Sequence, residues 1–88
     1  MDDFLSTIQL GWLLDRSPTA IRQMIRDGEI NAVRLAAGFR IPRAEVLRLS
    51  RERIQDEAGR KLSDRELERL VDQVIETNEA RIDAAAGA

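Results

Sequence analysis

The segment Leu14-Asp15-Arg16-Ser17-Pro18 limits the fold of this chain more than any other stretch. Asp15 and Arg16 end one helical pattern, Ser17 is a strong N-cap, and Pro18 suits the first helical position, where its missing N–H costs nothing. One helix therefore stops and another starts within about three residues. Upstream, Ser6 and Gln9 have the spacing of a capping box and Leu5 and Leu10 stand at staple positions. Leu10, Leu13 and Leu14 then form an apolar stripe at helical spacing, and Gly11 lets the two helices approach closely. The second helix runs to about Asp27, with Gly28 available as the left-handed residue after it. Its residues Ile21, Met24 and Ile25 face inward, which leaves Thr19, Arg22, Gln23 and Arg26 outward.

The texture changes after Glu29. Ala32-Val33-Arg34-Leu35 and Phe39-Arg40-Ile41 read as short strands, with Gly38 closing the bend between them. Alternation predicts Val33, Leu35, Phe39 and Ile41 on one face of a two-stranded ribbon and Arg34 and Arg40 on the other. Pro42 opens a third helix with Val46, Leu47, Leu49 and Ile54 as its apolar positions, and Gly59 is expected to end it. Ser63-Asp64-Arg65-Glu66 is a second capping box. The helix it starts is expected from Asp64 to about Ala85, roughly 33 Å long. Its apolar stripe is Leu67, Leu70, Val71, Val74, Ile75 and Ile82, interrupted by Asn78.

Composition removes whole classes of function. The 88 residues include no Cys and no His. Disulfides, thiolate or His-containing zinc sites, and the Ser–His and Cys–His arrangements are therefore excluded. No apolar run approaches the ~20 residues of a membrane span, and Met1-Asp2-Asp3 lacks the basic start of a signal peptide. The expectation is a soluble cytoplasmic protein without catalytic residues, cofactor or metal. The net charge of −2 is unevenly distributed: −3 over residues 1–15, +5 over 16–53 and −4 over 54–88. A basic middle between acidic ends can present a local positive face. Thirteen of the fourteen bases are Arg, the side chain suited to bidentate phosphate and guanine contacts.

Several of these runs together resemble a known family. Leu5-Ser6-Thr7, the stretch from Leu13 to Arg22, Ile25-Arg26-Asp27-Gly28-Glu29-Ile30, Ala32-Val33-Arg34 and Phe39-Arg40-Ile41-Pro42 look like the excisionase-type winged helix-turn-helix. That group is related to the DNA-binding domains of MerR regulators, and the likeness covers about residues 4–50. It departs from the pattern at Asp15, where relatives commonly have Gly, and at Ala36-Ala37, where many wings are Gly-rich. The fold class implied is mainly α: three helices plus a two-stranded β-wing over residues 1–58, and an additional C-terminal amphipathic helix over 59–88 for packing or oligomerisation. The resemblance implies a second helix in the major groove of double-stranded DNA and a wing on the adjacent minor groove or backbone. The matching positions are Ser17, Thr19, Arg22, Gln23 and Arg26 on the helix, and Arg34, Arg40 and Arg43 for the wing. Side-chain chemistry agrees, since Arg reads guanine, Gln reads adenine and a capped helix N-terminus can hold a phosphate.

Plainer roles compete with these. Ser17 and Thr19 suit simple capping, Arg22 and Arg26 can be solvated charges, and Arg34 and Arg40 can pair with Glu29 or Glu45. Phe39 is expected in the core, with base stacking as its alternative. Ile8 and Trp12 form a second apolar face on the first helix, for which the last helix, of the same chain or another, is the expected cover. Leu67, Leu70, Val71, Val74 and Ile75 would make that contact. The resulting expectation is a sequence-specific DNA-binding protein, nucleoid-associated and of bacterial or phage type. It would be a small transcriptional regulator or an excisionase-like architectural factor, with self-association and without a small-molecule ligand. The competing class is a protein-interaction module, an adaptor or antitoxin-like subunit on the same fold.

Overall fold

The computed structural model describes residues 3–54 and 59–86. In chain order the elements are β1 (Phe4–Ser6), α1 (Thr7–Leu14), α2 (Pro18–Arg26), β2 (Val33–Leu35), β3 (Gly38–Pro42), α3 (Arg43–Arg53) and α4 (Asp64–Ala86). Among the described residues four helices thus accompany one antiparallel sheet, with strand order β1-β3-β2. The third strand was not expected. Phe4, Leu5 and Ser6 pair with Pro42, Ile41 and Arg40, and the Arg43 N–H extends the ladder to the Asp3 carbonyl at 2.9 Å. That pairing puts Leu5 beside Ile41, and both side chains are buried. A two-stranded ribbon is marginal by itself, and β1 ties this one to the helices.

The helix ends follow local chemistry. Ser6 Oγ accepts from Gln9 N–H at 3.1 Å while Gln9 Oε1 accepts from Ser6 N–H at 3.0 Å, completing the reciprocal cap of α1. Asp15 closes α1 in the left-handed region, φ 55° and ψ 50°, a conformation Asp tolerates better than most L-residues. The turn brings the Arg16 carbonyl so near that a Cβ on Gly11 would lie 2.5 Å from its oxygen. Only glycine allows that approach. Ser17 Oγ caps α2 by accepting from Ala20 N–H at 3.1 Å, and Gly28, at φ 82°, turns the chain out of it. The Ser63–Glu66 pair caps the start of α4 in the same reciprocal way.

Two expectations are corrected. The hairpin pairs Val33 with Arg40, Arg34 with Phe39 and Leu35 with Gly38, so its turn is Ala36-Ala37 alone. Partners across a ladder share a face, and a one-residue difference in loop length exchanges the faces. Arg34 therefore stands with Phe39 and Ile41, and Val33 and Leu35 with Arg40. Exposure agrees: Ile41 is 0% exposed, Val33 43% and Leu35 52%. The other correction concerns α3, which ends at Arg53 rather than Gly59, because the β-branched Ile54 is already extended, φ −106° and ψ 122°. The remainder of that expected helix, residues 55–58, lies outside the described residues.

The core lies where the sheet, α1, α2 and α3 meet, around Leu5, Leu10, Ile21, Ile41 and Val46. Val71 of α4 belongs to the same cluster, and Leu67 is also fully buried. Leu67 and Val71 therefore pack in cis against their own chain, which leaves them no surface for a second copy. Leu70, Val74 and Ile75 are half-buried.

The polar clasps sit on α3. The buried Glu45 carboxylate accepts from Asn31 N–H and from Arg48 Nε and Nη2, each at 2.7 Å. The hydrogen bonds from Arg48 hold its carboxyl below the usual carboxylate range, against the opposing pull of burial. This joins α3 to the segment leaving α2. Arg51 bonds the Leu62 carbonyl at 2.8 Å and pairs with Asp64, and Arg43 pairs with Glu68 at 2.5 Å. No helix among the described residues is long and apolar enough to cross a membrane.

Candidate nucleic-acid interface

Pro18 fixes the entry of α2 and Ile21 anchors it in the core, so Arg22 and Arg26, one turn apart, share its outer face. The two-residue hairpin turn carries Arg34 and Arg40 to the other side of the same hollow. The result is a groove of about 520 Å³ lined by Arg22, Arg26, Arg34 and Arg40, the last two coming from opposite faces of the hairpin. Its lining contains no carboxylate; Ser6 of β1 and Thr7 and Ile8 of α1 also line it. Among the described residues none of the four guanidiniums has an ion-pair partner.

The contacts they do make orient them without neutralising them. Arg22 Nη2 donates to Thr19 Oγ1 at 3.2 Å, and Arg40 Nη1 donates to the Phe39 carbonyl at 2.9 Å. The Arg34 guanidinium carbon lies 5.7 Å from the centroid of the Phe39 ring, a cation–π arrangement that still leaves its N–H groups available. Phe39 is therefore a half-buried support in the groove and not a member of the core cluster. The alternative partners Glu29 and Glu45 are not used by either hairpin arginine: Glu45 belongs to Arg48 and Asn31. Four unneutralised guanidiniums around an acid-free hollow concentrate positive potential in one place on the surface.

The remaining expected residues fall outside this set. Ser17 spends its hydroxyl on the α2 cap. Gln23 is exposed but turns its amide nitrogen to Asp27 Oδ1 at 2.9 Å. Arg43 sits at the start of α3, paired with Glu68, so it braces α4 and does not line the groove. Conversely, Thr7 lines the groove but carried no signal as a contact. Its place depends on the pairing of β1 with β3, whereas the local pattern marked only a helix start.

The apolar face of α1 is only partly covered. Gln9 Nε2 reaches Glu79 Oε1 at 3.1 Å and ties α1 to the far half of α4. Trp12 is half-buried, but Ile8 remains 51% exposed. A second groove, of about 500 Å³, runs there between β1, α1 and α4. Among the described residues no cluster of acids is arranged to hold a metal ion. Comparison with protein-family models, curated proteins and solved structures finds no match to this chain.

Proposed function

We propose that this chain is a sequence-specific double-stranded DNA-binding protein, a winged helix-turn-helix acting as a small transcriptional regulator or excisionase-like architectural factor. In this reading α2 enters the major groove, which is wide enough for a helix, and the β2–β3 hairpin lies on the adjacent minor groove or backbone. The observation that carries it is the convergence of Arg22, Arg26, Arg34 and Arg40, from two separate elements, on one groove without an acid. Phosphate contacts from the hairpin fix register, and Arg22, with Thr19 and Gln23 beside it, reads base edges. For Gln23 this requires its amide to leave Asp27. One copy offers few contacts, so useful affinity calls for two or more copies on neighbouring half-sites. Such a protein works in the cytoplasm at the nucleoid and catalyses no reaction.

The test is selection of binders from a random double-stranded DNA library at physiological salt. An enriched motif is expected, with affinity that falls steeply as salt rises. The log–log slope should be about −2 to −3 per copy if Arg26, Arg34 and Arg40 displace counterions. Arg22→Ala should relax base preference, costing ~1–3 kcal/mol at the preferred site, whereas Arg40→Ala should weaken all sequences alike. A folded protein that enriches nothing and shows no salt dependence would overturn the proposal in favour of a protein-interaction module.

A further inference from the structure

Of the large apolar side chains that stand exposed, three border the second groove: Phe4 at 48%, Ile8 at 51% and Ile82 at 53%. Trp12 lines it as well, and the charged groups on its rim are Arg40 and Glu79. An apolar middle with one cation and one anion at its edge is an unusual surface to leave in water. Neither charge has an ion-pair partner among the described residues. Glu79 is nonetheless held in place by the Gln9 amide at 3.1 Å.

The rim selects the occupant. Glu79 repels a phosphate backbone here, unlike the acid-free groove beside it, and Ile8 and Ile82 offer that backbone no hydrogen bonds. A uniformly acidic peptide also meets Glu79, and a uniformly basic one meets Arg40. A second copy of the same chain satisfies both charges at once. In a two-fold contact, residue i of one copy faces residue j of the other and j faces i. One arginine and one glutamate beside a shared apolar centre then give two equivalent ion pairs.

We infer that this groove is a two-fold contact between two copies of the chain, with Phe4, Ile8 and Ile82 packed across the axis and Arg40 of each copy paired with Glu79 of the other. The inference gives a surface to the self-association that the DNA-binding reading calls for. Arg40 borders both grooves, so in the dimer its charge is set against Glu79 of the other copy and the DNA contacts of each copy rest chiefly on Arg22, Arg26 and Arg34. It does not require DNA, so its experiment is run without DNA and its failure is a separate result. The patch is small, and a weak contact is expected.

The experiment is sedimentation equilibrium of the full chain over roughly 1 μM to 1 mM, spanning weak affinities, with the emission of Trp12, the single tryptophan, followed in parallel. A monomer–dimer equilibrium that stops at two copies is expected, with emission moving to shorter wavelength as dimer forms. Ile82→Asp, at an exposed helix position, should weaken it at least ~10-fold. Arg40→Glu and Glu79→Arg should each do the same, because each sets like charges together twice. An equimolar mixture of those two variants should recover the dimer, since two carboxylates on one copy then face two guanidiniums on the other. Thermal unfolding of each variant alone checks that it folds. A chain that stays monomeric throughout overturns the inference. So does assembly that keeps growing with concentration, or a mixture no better associated than its components.

Discussion

Two groups of arginines in this chain are treated in opposite ways. Arg22, Arg26, Arg34 and Arg40 face one groove and, among the described residues, have no carboxylate partner. Arg43, Arg48 and Arg51 lie on α3, and each is paired, with Glu68, with Glu45 and Glu52, and with Asp64 respectively. All seven belong to the same basic middle segment of the sequence. What separates them is the location of the acids: two are on α3 itself, and the others arrive on α4, which packs against it. Arg43 and Arg51 therefore tie α3 to α4, Arg48 braces α3 internally and reaches the Glu29 carbonyl, and the groove arginines keep their field. A segment's net charge does not locate that field, because pairing decides which part of it reaches outside the protein. Gathering four like charges also opposes folding slightly, a local conflict of the kind that marks functional surfaces.

The sharpest test of that contrast changes all four groove arginines to Gln. DNA affinity should fall about 1,000-fold or more, while thermal stability stays level or rises slightly as repulsion is relieved. Loss of both together would show that the groove arginines are structural. The opposite signature is expected from Glu45→Ala, read by denaturant unfolding. It should cost about 1–3 kcal/mol, because a buried, charge-assisted acceptor is removed, kept modest because Arg48 is half exposed. On the proposed reading, the affinity of the folded fraction for DNA should stay unchanged.

Acid should act through the same carboxylate. The Glu45 pKa is lower in the folded protein than in the unfolded chain. Its stabilisation is thus fully present above the ordinary carboxylate range and is lost as pH falls through the depressed folded value. Stability of the wild-type chain should decline through that window, and Glu45→Gln should flatten the decline. A fall of equal depth in Glu45→Gln would assign it to other carboxylates. The smallest expected effect is that of Arg43→Ala. Breaking a half-exposed surface pair should cost about 0.5 kcal/mol and leave DNA affinity within about twofold, as measured by titration. A loss of binding as large as that of Arg40→Ala would move Arg43 into the DNA-contacting group.

Residues whose partners are three or four positions away were legible in the sequence. Ser6 with Gln9, Ser17 with Ala20, and Ser63 with Glu66 form the caps that their spacing announced. Asp15 and Gly28 take the left-handed turns that their chemistry allows. What escaped depends on distant pairing. Phe4–Ser6 reads locally as the lead into a helix, and becomes a strand only because β3 lies beside it. The hairpin faces turned on whether the loop held two residues or three, which Ala36-Ala37-Gly38 does not announce. Arg43 looked like a hairpin contact because Glu68, its partner, is on another helix. The groove arginines on α2 were visible as an outward stripe, but the absence of any acid opposite them became visible only in three dimensions.

Gln9 has a mechanical consequence beyond its cap. Its oxygen closes the start of α1 and its nitrogen holds Glu79, a division of labour open to an amide and closed to a carboxylate. Helix α4 is pinned at one end by the buried Leu67 and Val71, and its far half extends from that fulcrum like a lever. From Val71 to Ile82 the arm is roughly 16 Å at 1.5 Å per residue, so a tilt of about 10° carries Ile82 by about 3 Å. Beyond Val74 and Ile75, which also pack on the core, one neutral side chain therefore helps to aim the arm, and glutamate, otherwise the better cap at that position, would push it away.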